Sequence, residues 1–287
     1  MHVAIAHEAL AGVAGLFGLV IGSFLNVVIY RLPREESLAF PGSHCTVCGA
    51  TVRWWDNIPL LSYLLLRGRC RACGTAISLR YPAIELLTAL LFAAIAWVHG
   101  WQPMLPVWCA FAAALVATAA IDFDHQIIPD EISLGGLLLA LVLVPAAAAF
   151  AGGDFVAALR NSAVGAALGG GVLWVVGFAH ARLSSALGRT FEHWPGEGES
   201  LPVPASVDYW VWFPGVGFGD VKLLGLIGAV VGPLGVLLTI VAASVAGLVL
   251  GLGFAAVTRR FSAPFGFGPA LAAGALLVVL APDMLEL

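Results

Sequence analysis

The stretch that decides the fold is Met104 to Asp124, MLPVWCAFAAALVATAAIDFD. It carries no charge from Met104 to Ile121 and then meets two aspartates, Asp122 and Asp124. A hydrocarbon core takes roughly 20 helical residues to cross, so this run reads as a membrane span. An ionised carboxylate inside such a segment costs about 3 kcal/mol or more near the bilayer centre. Chains keep these groups for ion pathways, proton relays or chemistry. A second segment reverses the order: the turn Gly217-Phe218-Gly219-Asp220 opens another apolar run.

The rest of the chain agrees. Hydrophobic residues make up 61% of the 287 positions and charged residues only 10%, against about 25% charged in a soluble domain. Eight apolar runs read as spans, at about 10–30, 82–99, 104–121, 132–151, 160–180, 217–232, 234–257 and 265–283. Gly232-Pro233 and Pro264-Phe265-Gly266 punctuate the last three. The first run lacks a basic n-region and continues through Gly22-Ser23-Phe24-Leu25-Asn26 without a processing site, so it is expected to stay as the first span. The expected fold is an all-α polytopic membrane protein of about eight transmembrane helices, with a small cytoplasmic four-cysteine zinc module between spans one and two. Its divisions are the first span at 1–30, the zinc module at 31–81, and spans two to five at 82–180. A long cytoplasmic loop follows at 181–216, then spans six to eight at 217–287.

Basic residues set the orientation. Arg31, Arg34, Arg53, Arg67, Arg69, Arg71 and Arg80 lie between spans one and two; Arg182, Arg189, Lys222, Arg259 and Arg260 fall on the same side by the parity of crossings. Only Arg160 falls opposite. That side is the cytoplasm, which places the N-terminus and the C-terminal Asp283 and Glu286 outside. Asp122 and Asp220 then share the cytoplasmic face. The net charge of -4 says little about partners, and nothing points to nucleic acid.

Cys45-Thr46-Val47-Cys48-Gly49 and Cys70-Arg71-Ala72-Cys73-Gly74 are paired C-x-x-C-G knuckles. At this separation they suit one tetrahedral four-thiolate zinc site. Glycine after the second cysteine allows the tight turn that aims backbone N–H groups at sulfur, and a reducing compartment argues against disulfides. Four protein ligands leave no open position, so the zinc is expected to be structural. His44 could substitute as a ligand but reads as a bystander. In Pro129-Asp130-Glu131, Asp130 reads as an N-cap and Glu131 as a first-turn acid. Asp124 and His125 read as solvated connection residues, and Lys222 as a snorkelling cation. The 181–216 loop is rich in Pro, Gly and Ser at Trp194-Pro195-Gly196-Glu197-Gly198-Glu199-Ser200. Its Trp194, Tyr209, Trp210, Trp212 and Phe213 are expected at the headgroup level. Glu192 and His193 read as surface. Two nearby carboxylates cannot easily both ionise, so a pair shares a proton. One can then activate water while the other protonates a leaving amine. No G-x-S-x-G, H-E-x-x-H or P-loop competes with this set.

These residues resemble the type IV prepilin leader peptidases over nearly the whole chain. The resemblance is carried in order by Gly22 to Pro33 (GSFLNVVIYRLP), the two cysteine pairs, and Arg80-Tyr81-Pro82-Ala83-Ile84-Glu85-Leu86. Ile121-Asp122 through Asp130 and Gly217 to Leu224 (GFGDVKLL) complete it. It implies an inner-membrane enzyme that cleaves a basic leader after glycine on prepilins and pseudopilins. The enzyme then N-methylates the new N-terminal residue with S-adenosylmethionine. The catalytic pair would be Asp122 and Asp220, and Gly68 in Arg67-Gly68-Arg69-Cys70 falls in the region tied to methylation. The implied substrates serve pili, type II secretion or competence; the other partner is membrane lipid, and no motif sets the oligomeric state. The 181–216 loop is longer than the family pattern leads one to expect, and reads as an accessory contact or a tolerated insertion. The G-x-G-D turn also resembles presenilin-like intramembrane proteases, which lack the cysteine module. The alternative is a zinc-stabilised membrane transporter with Asp122 and Asp220 in a cation relay, though no inverted repeat is visible.

Overall fold

The computed structural model describes residues 2–189, 191, 194, 202–258 and 266–285. Glu192, His193, Pro195 to Ser200, Arg259, Arg260, Pro264, Phe265 and Glu286, singled out above, lie outside the described residues. Among the described residues the chain is helical, with no strand. Six helices among the described residues are long and apolar enough to cross a membrane, and one shorter apolar helix accompanies them.

The chain forms two compact units. The first runs through Ile127 and takes in Val279–Pro282. It holds α1 (His2–Arg31), the short α2 (Leu61–Leu65), α3 (Arg80–His99) and α4 (Leu105–His125). Apolar helices gain no hydrophobic drive from burying leucine in lipid, so close backbone approach has to hold them together. A Cβ on Gly22 would fall 2.7 Å from Glu85 Cα, and one on Gly18 equally close to Ala89 Cα. Small residues therefore let α1 lie directly on α3. Asn26 closes the seam, its Nδ2 donating to Tyr81 O at 3.1 Å and Gly22 O at 3.2 Å.

The second unit begins at Ile128 and runs to Val278. It holds α5 (Asp130–Phe150), α6 (Phe155–Ala186), the one-turn α7 (Asp208–Val211), α8 (Phe218–Thr258) and most of α9 (Gly268–Leu280). Gly165 and Gly228 meet backbone to backbone where α6 crosses α8: a Cβ on either would lie 2.1 or 2.0 Å from the other's carbonyl oxygen. Ser162 Oγ, fully buried, donates to Ala229 O at 2.6 Å in the same seam.

Helix limits differ from the sequence expectation in informative ways. The break expected between the sixth and seventh spans is present: α8 is two helical segments meeting at Gly232, whose φ of 74° and ψ of 179° are non-helical, just before Pro233, which supplies no N–H. A Cβ at Gly232 would also strike Asn161 Nδ2 at 2.6 Å. The stretch before the break is well short of the roughly 20 residues of a full crossing. The α6 helix begins earlier than expected because Asp154 caps it, accepting from Ala157 N–H at 2.9 Å. It also runs on to Ala186, so Arg182 is helical rather than in the loop. The α4 helix continues past Asp122 and ends only where Gln126 turns left-handed at φ 55°.

Candidate functional site

The four cysteines of the module come together. Their sulfurs all lie within 4.8 Å of one another, and Cys45 Sγ is 3.9 Å from Cys73 Sγ. A tetrahedral ion with Zn–S bonds near 2.3 Å has sulfur–sulfur edges of about 3.8 Å. Each knuckle has the same local build. Cys45 N–H donates to Ala50 O and Gly49 N–H to Cys45 O; Cys70 N–H donates to Thr75 O and Gly74 N–H to Cys70 O, all at 2.8–2.9 Å. Gly49 and Gly74 sit at φ 70° and 71° with open space around them, so backbone conformation rather than room demands glycine there. Thr75 favours the Cys73 thiolate through its hydroxyl and backbone, bringing that thiol down to about 6. The Ala50 backbone would lower Cys48 too, but the sulfurs of Cys73, Cys45 and Cys70 together with burial push it up to about 11. Four thiols this close cannot all ionise without a cation between them, so the donor set fits a thiophilic metal. His44 is not in the cluster; its Nδ1 lies 3.0 Å from Gly42 O.

The module is tied internally. Arg71 donates two hydrogen bonds to Asp56, at 2.7 and 2.6 Å, which hold the Asp56 carboxyl below its usual value. Buried Arg31 donates to Ser37 O and Pro41 O at 2.9 and 2.7 Å. Gly68, two residues past the Leu66 cap of α2, sits at φ 65°. Its N–H donates to Tyr63 O at 2.8 Å, and an added Cβ would fall 2.8 Å from Tyr63 Oη.

Asp122 sits in the last turn of α4 and is 5% exposed, whereas Asp124 is exposed, as expected. Asp124 also has an ion-pair partner. Arg80, at the start of α3, pairs with it and also donates to Ala120 O at 3.1 Å, so the end of α4 that carries Asp122 is clamped to α3. One turn earlier, Thr118 is fully buried and its hydroxyl has no partner among the described residues.

Asp220 lies in the first turn of α8, half-buried. Its N–H donates to Gly217 O at 3.0 Å, and its Oδ2 would stand 3.2 Å from a Cβ on Gly217, so the carboxylate folds over that glycine. Gly219 is equally constrained, since a Cβ there would meet Ile128 at 3.0 Å. Asp130 is not an N-cap: the cap position is Pro129, and Asp130 instead pairs with Lys222, whose half-buried side chain carries its amine to this exposed carboxylate. The start of α8 is thereby clamped to the start of α5. The two aspartates belong to different compact units.

Sequence reasoning named Glu85 only as part of a motif and gave it no partner or role. It is 8% exposed within α3 and accepts from Leu60 N–H at 2.8 Å and from Ser23. Leu60 adopts φ 58°, unusual for leucine, in making that bond. A carboxylate inside a helix long enough to span was the signal available. Among the loop aromatics, Trp194 and Phe213 are 1% and 6% exposed and pack against Ala181, Trp174 and Phe178 of α6.

A many-helix membrane protein with aspartates at two helix ends and a separate tetracysteine module is the class that fold and site define. Residues 16–99 match the bacterial peptidase A24 N-terminal domain and residues 109–252 the type IV leader peptidase family. The prepilin leader peptidase/N-methyltransferase of Neisseria gonorrhoeae is 33% identical, covering 94% of this chain and 90% of the relative. The type 4 prepilin-like proteins leader peptide-processing enzyme of Escherichia coli is 34% identical, covering 94% of each. A Myxococcus xanthus prepilin leader peptidase/N-methyltransferase is 43% identical over 57% of this chain and 49% of its own length. No solved structure matches. The chain belongs to the type IV leader peptidase family.

Proposed function

We propose that the protein is a membrane aspartic endopeptidase that removes the leader of prepilins and pseudopilins and methylates the amine it exposes. What supports the reading is that the matched segment, residues 109–252, contains both Asp122 and Asp220, each at a helix end braced by an ion pair. The two aspartates take the two proton-transfer roles of an aspartic peptidase. One takes a proton from water as the water oxygen attacks the carbonyl carbon of the leader's terminal glycine. The other gives its proton to the departing amine as the C–N bond breaks. S-adenosylmethionine, the family's methyl donor, supplies an electrophilic methyl group when bound, and the exposed amine is its acceptor. Cys45, Cys48, Cys70 and Cys73 hold a structural zinc ion that locks the two knuckles together. Gly68 serves methylation indirectly, by closing the turn after α2 within that module. The protein lies in the inner membrane with both aspartates and the module on the cytoplasmic side, as the arginine distribution favours.

The test is cleavage of a prepilin by purified protein carrying Asp122→Asn or Asp220→Asn. Asn keeps the shape and loses the titratable proton. Both variants are expected to lose cleavage while retaining wild-type metal content and unfolding temperature. Full cleavage by either variant would remove that residue from the chemistry.

A further inference from the structure

The loop ahead of Asp220 is held in an unusual manner. Three of its backbone carbonyls are bound by side chains of one helix, α6. Trp174 Nε1–H donates to Trp210 O at 2.9 Å, Arg182 Nη2 donates to Tyr209 O at 3.1 Å, and His180 Nδ1 lies 3.2 Å from Pro214 O. Rings reinforce these bonds. The Trp174, Phe178 and Trp210 rings are nearly parallel and sit at the corners of a triangle, with centroids 5.1, 5.4 and 6.3 Å apart. The Arg182 guanidinium carbon stands 3.8 Å over the Tyr209 ring. Phe213 is buried against Gly177, where a Cβ would fall 2.6 Å from the ring. Phe213 then pairs with Val216 across Gly215, at φ 79°, and the next residues are the G-x-G-D turn.

We infer that this aromatic clamp is the positioning element for Asp220. The inference rests on the reading of Asp220 as catalytic and adds to it the device that aims the side chain. Gly215, Gly217 and Gly219 give the segment more backbone freedom than any other residue would, yet a catalytic group has to be held within about 0.5 Å of its working place. The clamp removes that freedom upstream, and the Gly217–Asp220 hydrogen bond transmits the result. The rings stack on one another, with Arg182 already over Tyr209, so the cluster is a filled packing unit and not an open cage for a ligand.

Gly177 gives access to the clamp without touching substrate. Gly177→Ala drives a methyl group into the Phe213 ring, and Phe213→Leu makes room for it. A misplacement near 1 Å costs on the order of 100-fold in rate. Gly177→Ala is expected to lower kcat for leader cleavage on that order, with KM within about twofold. Methylation of a pre-cleaved peptide should be unchanged. The double variant Gly177→Ala/Phe213→Leu is expected to recover at least about tenfold of that loss. A mere loss of folded protein scales the pH–rate profile, whereas a turned Asp220 moves its limbs; the Gly177→Ala profile should move and the double variant's should return. If Gly177→Ala cannot be purified folded, Trp210→Leu, which removes one ring of the stack, is expected to show the same shift. Wild-type kcat, or a loss without movement of the profile and without rescue, overturns the inference. Asp220→Asn run alongside separates the two readings: if it cleaves normally the catalytic assignment fails, and if it is dead while Gly177→Ala is normal only the positioning role fails.

Discussion

Replacing Gly165 by alanine puts one methyl group into the tightest seam of the molecule. Its carbon would lie 2.1 Å from Gly228 O and 2.9 Å from Gly228 C. Ordinary C···O contacts begin near 3.3 Å, so α6 and α8 have to part by about 1 Å. Overpacking of this kind costs about 1–3 kcal/mol. The parting also stretches the Ser162–Ala229 hydrogen bond, now 2.6 Å, which adds about 1 kcal/mol. A total of about 3 kcal/mol is roughly a 150-fold shift in the folding equilibrium. Gly171 on the same helix has nothing within 4 Å of its Cβ position, and alanine there is expected to be neutral or to gain up to about 1 kcal/mol of helix propensity. The assay is denaturant unfolding of both variants in one detergent, followed by tryptophan fluorescence, with leader cleavage measured on the folded fraction. If Gly165→Ala and Gly171→Ala unfold at the same denaturant concentration, backbone contact does not hold α6 against α8 and the reasoning fails.

Purified protein is expected to hold one zinc ion per chain by elemental analysis, and Cys73→Ser to lose it while the apolar helices stay inserted; carefully reduced protein without stoichiometric metal would refute the site. Arg67 and Arg69 have no ion-pair or hydrogen-bond partner for their side chains among the described residues, whereas Arg71 is committed to Asp56. Changing Arg67 and Arg69 to glutamine is therefore expected to raise KM for a prepilin bearing an acid near the start of its helix, more at low salt than at high. An unchanged KM at both salts would place recognition elsewhere. The Asp56 carboxyl, held down by Arg71, should titrate below its usual value of about 3.9 when followed by carboxyl NMR, and Arg71→Gln should bring the midpoint back up. Because the folded value is depressed, this pair's contribution is complete above the unfolded value and is lost as pH falls through the folded one. A midpoint unmoved by Arg71→Gln would deny the pairing.

Much of this protein is written locally in its sequence. Uninterrupted apolar runs announce membrane helices because lipid demands apolar residues on every side. The C-x-x-C-G pairs announce a metal site because each knuckle is closed by its own backbone hydrogen bonds. The break at Gly232-Pro233 is likewise a property of two adjacent residues. Tertiary structure alone decided the partners. Nothing beside Asp124 announces Arg80, which α3 brings from 44 positions away, and Asp130 looked like a cap although α8 brings Lys222 to it from 92 away. Glu85 was one letter in an apolar run until Leu60 and Ser23 closed over it. A helix that is apolar all round carries no polar face to say which side meets a neighbour. The choice falls to where glycines permit contact and which distant charges that contact brings together, and neither can be read along the chain.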